Sequence, residues 1–143
     1  MAIPLVPKLL RAHLAALAEN DERHDGRSRW EDRDTELEIG VLPRAEGSAK
    51  VRIGNTIVYA GVKFQVMTPY PDRPNQGGLM CSAEVRPVAG PNWEPGPPSP
   101  ESIELGRVVD RGIRESGCID VDDLCIIPGE KVWQVILDLF AIS

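Results

Sequence analysis

Two spacings of apolar residues divide the chain. Val6, Leu9, Leu10, Leu14 and Leu17 recur at helical intervals, which predicts an amphipathic helix within residues 1–20, with Pro4 or Pro7 in its first turn. The charged run NDERHDGRSRWEDRD shows no period, carries a Gly26 turn and reads as an extended loop. From Thr35 the period drops to two, with Leu37, Ile39 and Val41 alternating with Glu36, Glu38 and Gly40, as in a half-buried strand. The run GSAKVRIGNTIVYAGVKFQV predicts a hairpin in which Gly54 and Asn55 fill the two central positions of a tight primed turn. MTPYPDRPNQGG is a loop by its prolines and glycines, and LMCSAEVRPV alternates again. Near the end, DDLCIIPGEKVWQVILDLFAI predicts a short strand, a Pro128–Gly129 turn and a long strand apolar on both faces, as at a sheet centre.

Between these strands, a proline-rich connection leads into ELGRVVDRGIRES. Ser99 suits an N-cap, Pro100 the first helical position and Glu101 the first turn, so a helix is expected over about 100–116. At 100° per residue, Leu105, Val108, Val109, Gly112 and Ile113 share one side and are expected to pack on the sheet. Arg107, Arg111 and Arg114 fall within an arc of about 60° on the other side. Like charges one turn apart cost a few tenths of a kcal/mol unless something anionic offsets them. Spacing alone leaves two readings open. One is a solvated face, with Glu104 pairing with Arg107 and Asp110 with Arg114, pairs worth little. The other is a stripe whose guanidinium forks grip successive phosphates of a single strand.

Composition limits what that stripe can serve. A length of 143 residues suits one domain with a real core, and no apolar run approaches the ~18 residues of a membrane span. The first residues lack the pattern of a signal peptide, which predicts an intracellular, cytoplasmic protein. A formal net charge of −6 argues against a general nucleic-acid coat, so any anion site must be local. Residues 19–38 hold nine acids against four bases, whereas residues 44–63 hold Arg44, Lys50, Arg52 and Lys63 against Glu46 alone.

Other candidates have bland readings. Cys81, Cys118 and Cys125 lack metal-ligand pairing and His13 and His24 do not complete a cluster, so reduced structural thiols, no metal and no cofactor are expected. Gly77 and Gly78 lack the following lysine of a phosphate loop and read as a turn. Trp133 reads as core and Trp93 as a packing anchor, and the acids Asp120, Asp122 and Asp123 read as a solvated turn.

Several of these runs together resemble a known family. ERHDGRSRWEDRD followed by AEGSAKVRIGNTIVYAGVKFQV is similar to the opening of an RNase PH-type domain: a DGR loop, a strand and a glycine-serine-alanine hairpin. The combination of EPGPP, IEL, RVVDR and IRES more narrowly resembles the non-catalytic RNase PH-like subunit of the archaeal exosome ring. Catalytic relatives carry an arginine pair before this helix, where this chain has WEPGPPSPES.

The resemblance implies an α+β fold, the N-terminal half of an RNase PH-type domain, with a mixed, mostly antiparallel sheet packed with helices. It implies a single shortened domain over residues 1–143, with the helix in 1–20 and the sheet in 34–143. It further implies a hexameric ring, a trimer of heterodimers with a catalytic RNase PH-like subunit, joined by RNA-binding cap subunits and threaded by single-stranded RNA. In such rings the partner removes nucleoside diphosphates from an RNA 3′ end using phosphate, and the phosphate site and general acid belong to the half absent here. The family's RNA-contacting arginines map onto Arg107 and Arg111, with Arg114 on the same stripe; no catalytic residue is expected. Ending at DLFAIS, the chain is expected to leave an apolar strand at an open edge. A phosphorolytic 3′ to 5′ exoribonuclease active by itself is the alternative, and a structural remnant that binds nothing is a third reading.

Overall fold

The computed structural model describes residues 8–85 and 96–142. The chain divides into two compact units, Met1–Arg33 and Asp34–Ser143. In the first, helix α1 spans Lys8–Glu19; the proposed first-turn prolines, Pro4 and Pro7, lie outside the described residues. The loop after α1 is closed by a bridge between Glu22 and Ser28, so the charged run is a folded turn rather than an extended one. Gly26 sits there at φ 81°, and Arg27 pairs with Asp25 at 2.8 Å.

The second unit is a sheet with one helix. Its strands are β1 (Thr35–Ile39), β2 (Gly47–Ile53), β3 (Thr56–Met67), β4 (Gly78–Val85), β5 (Cys125–Ile127) and β6 (Lys131–Ile142), and helix α2 (Pro100–Ser116) precedes β5. The sheet order is β1-β2-β3-β6-β4, with β5 pairing β6. All pairs are antiparallel except β4 with β6, which are parallel. The sheet is therefore mixed and mostly antiparallel, in an α+β fold.

Local chemistry sets these elements. Gly54 takes φ 59°, while Asn55 is not among the residues at positive φ. Positive φ at the first central position only is the type II′ pattern, whose twist suits the β2–β3 hairpin. Gly40, at φ 76°, ends β1, so Val41 falls outside the strand expected to include it. In α2 the Ser99 side chain accepts from the Ser102 N–H, Pro100 opens the first turn, and Gly117 at φ 64° closes the helix in the left-handed conformation. The final strand is not at an open edge: β6 lies between β3 and β4, and β1 and β4 are the outer strands.

The register gives the sheet two unlike faces, because directly opposed residues point the same way. Leu37, Val51, Val58, Ala141 and Val85 form one row across it, and Ile39, Ala49, Ala60, Leu139 and Ala83 the next. Leu79, Val135 and Phe64 continue the same apolar face. On the other face Glu38 lies opposite Lys50 and Glu36 opposite Arg52.

Helix α2 packs over β4 at one end of the apolar face, where Leu79, Ala83 and Val135 are buried. It presents only part of the face expected from its apolar residues, since Val109 and Ile113 are half-buried while Leu105, Val108 and Gly112 are exposed. Its buried residues are Ser102 and Gly106, whereas Leu105 and Val108 are exposed. A Cβ on Gly106 would lie 3.3 Å from the Ala83 nitrogen and 3.5 Å from the Cys81 carbonyl oxygen. Small residues one turn apart thus let the helix backbone approach the strand backbone, and this close approach outweighs the larger apolar stripe beside it. Trp133 is not core either: it stays partly exposed on the apolar face, edge-on to Phe64 with ring centroids 6.0 Å apart.

Candidate nucleic-acid interface

The pose of α2 decides what its arginines can do. With Ser102 and Gly106 turned to β4, Arg107 and Arg111 project away from the sheet and are exposed. Neither guanidinium has a hydrogen-bond or ion-pair partner among the described residues; the expected Glu104–Arg107 pair is not formed. Asp110, the acid between them in sequence, is already engaged by Arg114. Two uncompensated guanidiniums one helical turn apart therefore face solvent on one stripe.

Arg114 behaves differently. Its Nε donates to Asp110 Oδ2 at 2.7 Å and its Nη2 to Asp110 Oδ1 at 3.1 Å, a forked pair of the stronger kind. The same Nη2 donates to the Leu79 carbonyl of β4 at 2.6 Å. The hydrogen bond that Arg114 donates to the Asp110 carboxylate holds the Arg114 pKa above its ordinary value. Arg114 is thus tied back to the sheet, apart from the other two, and fixes how α2 lies on β4. It also lines a cavity of about 150 Å³ with Tyr70, Arg73, Gln76 and Gln134.

The basic hairpin offers less than its composition suggests. Lys50 pairs with Glu38 at 2.6 Å and Lys63 with Glu46 at 3.1 Å, and Arg52 lies 3.9 Å from Glu36. Much of the positive charge of residues 44–63 is therefore answered across the strands. Gly77 is no phosphate cradle, since its N–H donates to the Val121 carbonyl at 2.8 Å. A Cβ there would collide with Leu124 and lie 2.6 Å from the Trp133 carbonyl oxygen. Asp120 accepts from the Asp122 N–H at 2.9 Å, a local turn contact. Burial pushes the Cys81 thiol pKa up, with Asp110 and Asp138 adding to it, so this sulfur is held in its unreactive form. Trp93 lies outside the described residues.

Comparison with known proteins places this arrangement. The model of the 3′ exoribonuclease family, domain 1, matches residues 31–143. The chain belongs to this family. It is 49% identical over 139 residues to the exosome complex component Rrp42 of Methanothermobacter thermautotrophicus, covering 97% of this chain and 51% of that protein. It is 48% identical over 133 residues to Rrp42 of Archaeoglobus fulgidus. Among solved structures, it is similar to a chain of the Archaeoglobus fulgidus exosome with RNA bound to the active site, with a TM-score of 0.87 and 48% identity. That match covers 93% of this chain and 52% of the other. A chain of an archaeal exosome core matches with a TM-score of 0.78 at 43% identity. This RNase PH-type chain therefore spans about half the length of the exosome components it matches.

The sequence pattern located α2 and its arginine stripe. What it missed was Ser102 and Gly106, the small residues that orient the stripe. The available signal was a glycine inside a helix, which marks a close backbone approach.

Proposed function

We propose that this chain is a non-catalytic, RNA-binding component of an archaeal-type exosome ring, to which residues 34–143 contribute RNase PH-like structure. Arg107 and Arg111 contact successive phosphates of a single-stranded RNA, while a catalytic RNase PH-like partner performs the phosphorolysis. Cap subunits complete the cytoplasmic assembly. One observation supports this reading above the others: both guanidiniums are exposed and, among the described residues, unpaired, one turn apart on a helix held to its sheet by Arg114. Of the two pairs expected of a solvated face, Asp110–Arg114 is formed and Glu104–Arg107 is not. Arg114, spent on Asp110 and Leu79, serves to position the helix rather than as a third phosphate contact.

The test is reconstitution with a catalytic RNase PH-like partner and measurement of single-strand RNA affinity against salt. Arg107→Glu with Arg111→Glu is expected to leave assembly intact and to lower the salt slope by about 1.4, from ~0.7 per phosphate contact. An unchanged slope returns the stripe to a merely solvated face. Shortening of RNA by this chain alone in phosphate buffer would instead establish a self-sufficient exoribonuclease.

A further inference from the structure

The loop between β3 and β4 closes a small cavity against the last turn of α2. Tyr70, Arg73 and Gln76 come from the loop, Arg114 from α2 and Gln134 from β6. Gly77 and Gly78 also line it and add no side chain to fill it. At about 150 Å³ the cavity is smaller than the ~300–1,000 Å³ of a drug-sized ligand site, so its occupant is a small group.

Its lining is rich in donors. Two guanidiniums, two side-chain amides and the Tyr70 hydroxyl meet there, and among the described residues no carboxylate lines the cavity. The side chains of Tyr70, Gln76 and Gln134 make no hydrogen bond among the described residues. Arg114 uses Nε and Nη2 for Asp110 and the Leu79 carbonyl, and its Nη1 takes no part in those bonds. Arg73 has a loose ion pair, Nε to Asp72 Oδ2 at 3.8 Å, with both side chains well exposed, a kind of pair worth little. Asp72 and Asp122 line a neighbouring hollow that Arg73 also borders, not this cavity. Guanidinium forks with neutral amide and hydroxyl donors, free of any acceptor-only group, suit the oxygens of a phosphoryl anion. Because Asp110 offsets Arg114, the charge on offer is mainly that of Arg73, which sets a modest affinity.

We infer that this cavity binds free inorganic phosphate, held chiefly by Arg73, with Arg114 Nη1, the Gln76 and Gln134 amides and the Tyr70 hydroxyl as further donors. Arg114 keeps its bonds to Asp110 and Leu79 while doing so, since those use its other nitrogens. The bound ion joins the β3–β4 loop to α2. A phosphate of an RNA strand offers the same oxygens, but it arrives with a sugar on either side, and the small volume favours the free ion. The inference is independent of the RNA reading, because neither Arg107 nor Arg111 lines the cavity.

The experiment titrates the chain with inorganic phosphate while chloride holds the ionic strength constant, following the side-chain amide signals of Gln76 and Gln134 by nitrogen-15 NMR. Saturable shifts with a Kd of about 1 mM are expected. Arg73→Gln, on an exposed loop where folding is not at stake, should weaken binding about tenfold, the loss of one charge-assisted hydrogen bond. Arg44→Gln removes the same charge from an exposed position outside the cavity and should leave binding unchanged. A single-stranded RNA without a terminal phosphate, added to the phosphate-saturated chain, should leave the Gln76 and Gln134 shifts in place. Shifts that do not saturate overturn the proposal, as does an affinity that Arg73→Gln leaves unchanged or that Arg44→Gln lowers equally. Displacement of phosphate by the RNA overturns it too, and assigns the cavity to the strand.

Discussion

Replacing Gly106 with alanine sets a Cβ 3.3 Å from the Ala83 nitrogen and 3.5 Å from the Cys81 carbonyl oxygen, both main-chain atoms of β4. Carbon contacts are best at about 3.5–4.0 Å, so α2 must rise by a few tenths of an ångström or β4 must yield. Neither is a flexible side-chain tip. A rise loosens the packing over Leu79 and Ala83 and stretches the 2.6 Å bond from Arg114 to the Leu79 carbonyl. Overpacking of this kind costs about 1–3 kcal/mol, against a helix-propensity gain of about 1 kcal/mol for leaving glycine. Gly106→Ala is therefore expected to destabilise by about 1 kcal/mol, and Gly106→Leu by more. Gly112 supplies the internal control, since a Cβ there meets nothing. Gly112→Ala should stabilise by about 0.5–1 kcal/mol. Urea denaturation followed by circular dichroism reads both, with equal m-values required for the comparison. Should Gly106→Ala stabilise as much as Gly112→Ala, α2 does not lie against β4 by its small residues, and the orientation of Arg107 and Arg111 derived from that pose fails with it.

Three further outcomes are expected. Gly77→Ala forces a Cβ against Leu124 and the Trp133 carbonyl and should destabilise by about 1–3 kcal/mol, read in the same urea titration; no loss would contradict the packing of the loop before β4. Ser99→Ala removes the acceptor of the Ser102 N–H and should cost about 1 kcal/mol, with fraying of the first turn of α2 seen as faster amide exchange at Ser102 and Ile103. The Lys63 hydrogen bond holds the Glu46 carboxyl below its ordinary value of 4.5. A depressed folded pKa gives stability present above the unfolded value and lost as pH falls through the folded one, so this contribution fades on acidification below about 4.5. Lys63→Gln should raise the Glu46 midpoint toward 4.5 in a carbon-detected titration, and an unmoved midpoint would show that the pair does not form in solution.

Much of the second unit was readable in the chain because its signals are local. Alternation marked the strands, Gly54–Asn55 fixed the hairpin, and Ser99, Pro100 and Glu101 set the start of α2 at the observed residue. The readings that failed depended on what lies across from a residue. Apolar periodicity selected Leu105 and Val108 for the sheet because a moment weighs size and hydrophobicity, whereas the contact is decided by how near two backbones can come. Gly106 carries no hydrophobic signal, yet it orients the helix. Trp133 looked like core because β6 is interior, but an interior strand buries a residue only if something also covers its face. The parallel pairing of β4 with β6 was likewise not visible, since nothing in either strand states its neighbour.

The helix α2 has three sides with different chemistry. Ser102 and Gly106 go to β4, and Arg114 secures that contact through Asp110 and the Leu79 carbonyl. Leu105 and Val108 are exposed among the described residues. Arg107 and Arg111 stand away from both, so their mutual repulsion is neither answered by an acid nor diluted by distance. In water that repulsion is small, a few tenths of a kcal/mol, so the fold tolerates it without compensation. An anionic strand laid along the stripe turns the same pair of charges from a weak cost into two phosphate contacts. Because the helix is already fixed by Gly106 and Arg114, little ordering of the backbone is required when that strand binds. Loss of either anchor should therefore reduce RNA affinity without removing a guanidinium from the stripe. Asp110→Asn tests this directly: it releases the Arg114 fork, leaves Arg107 and Arg111 in place, and should weaken RNA binding while preserving the salt slope.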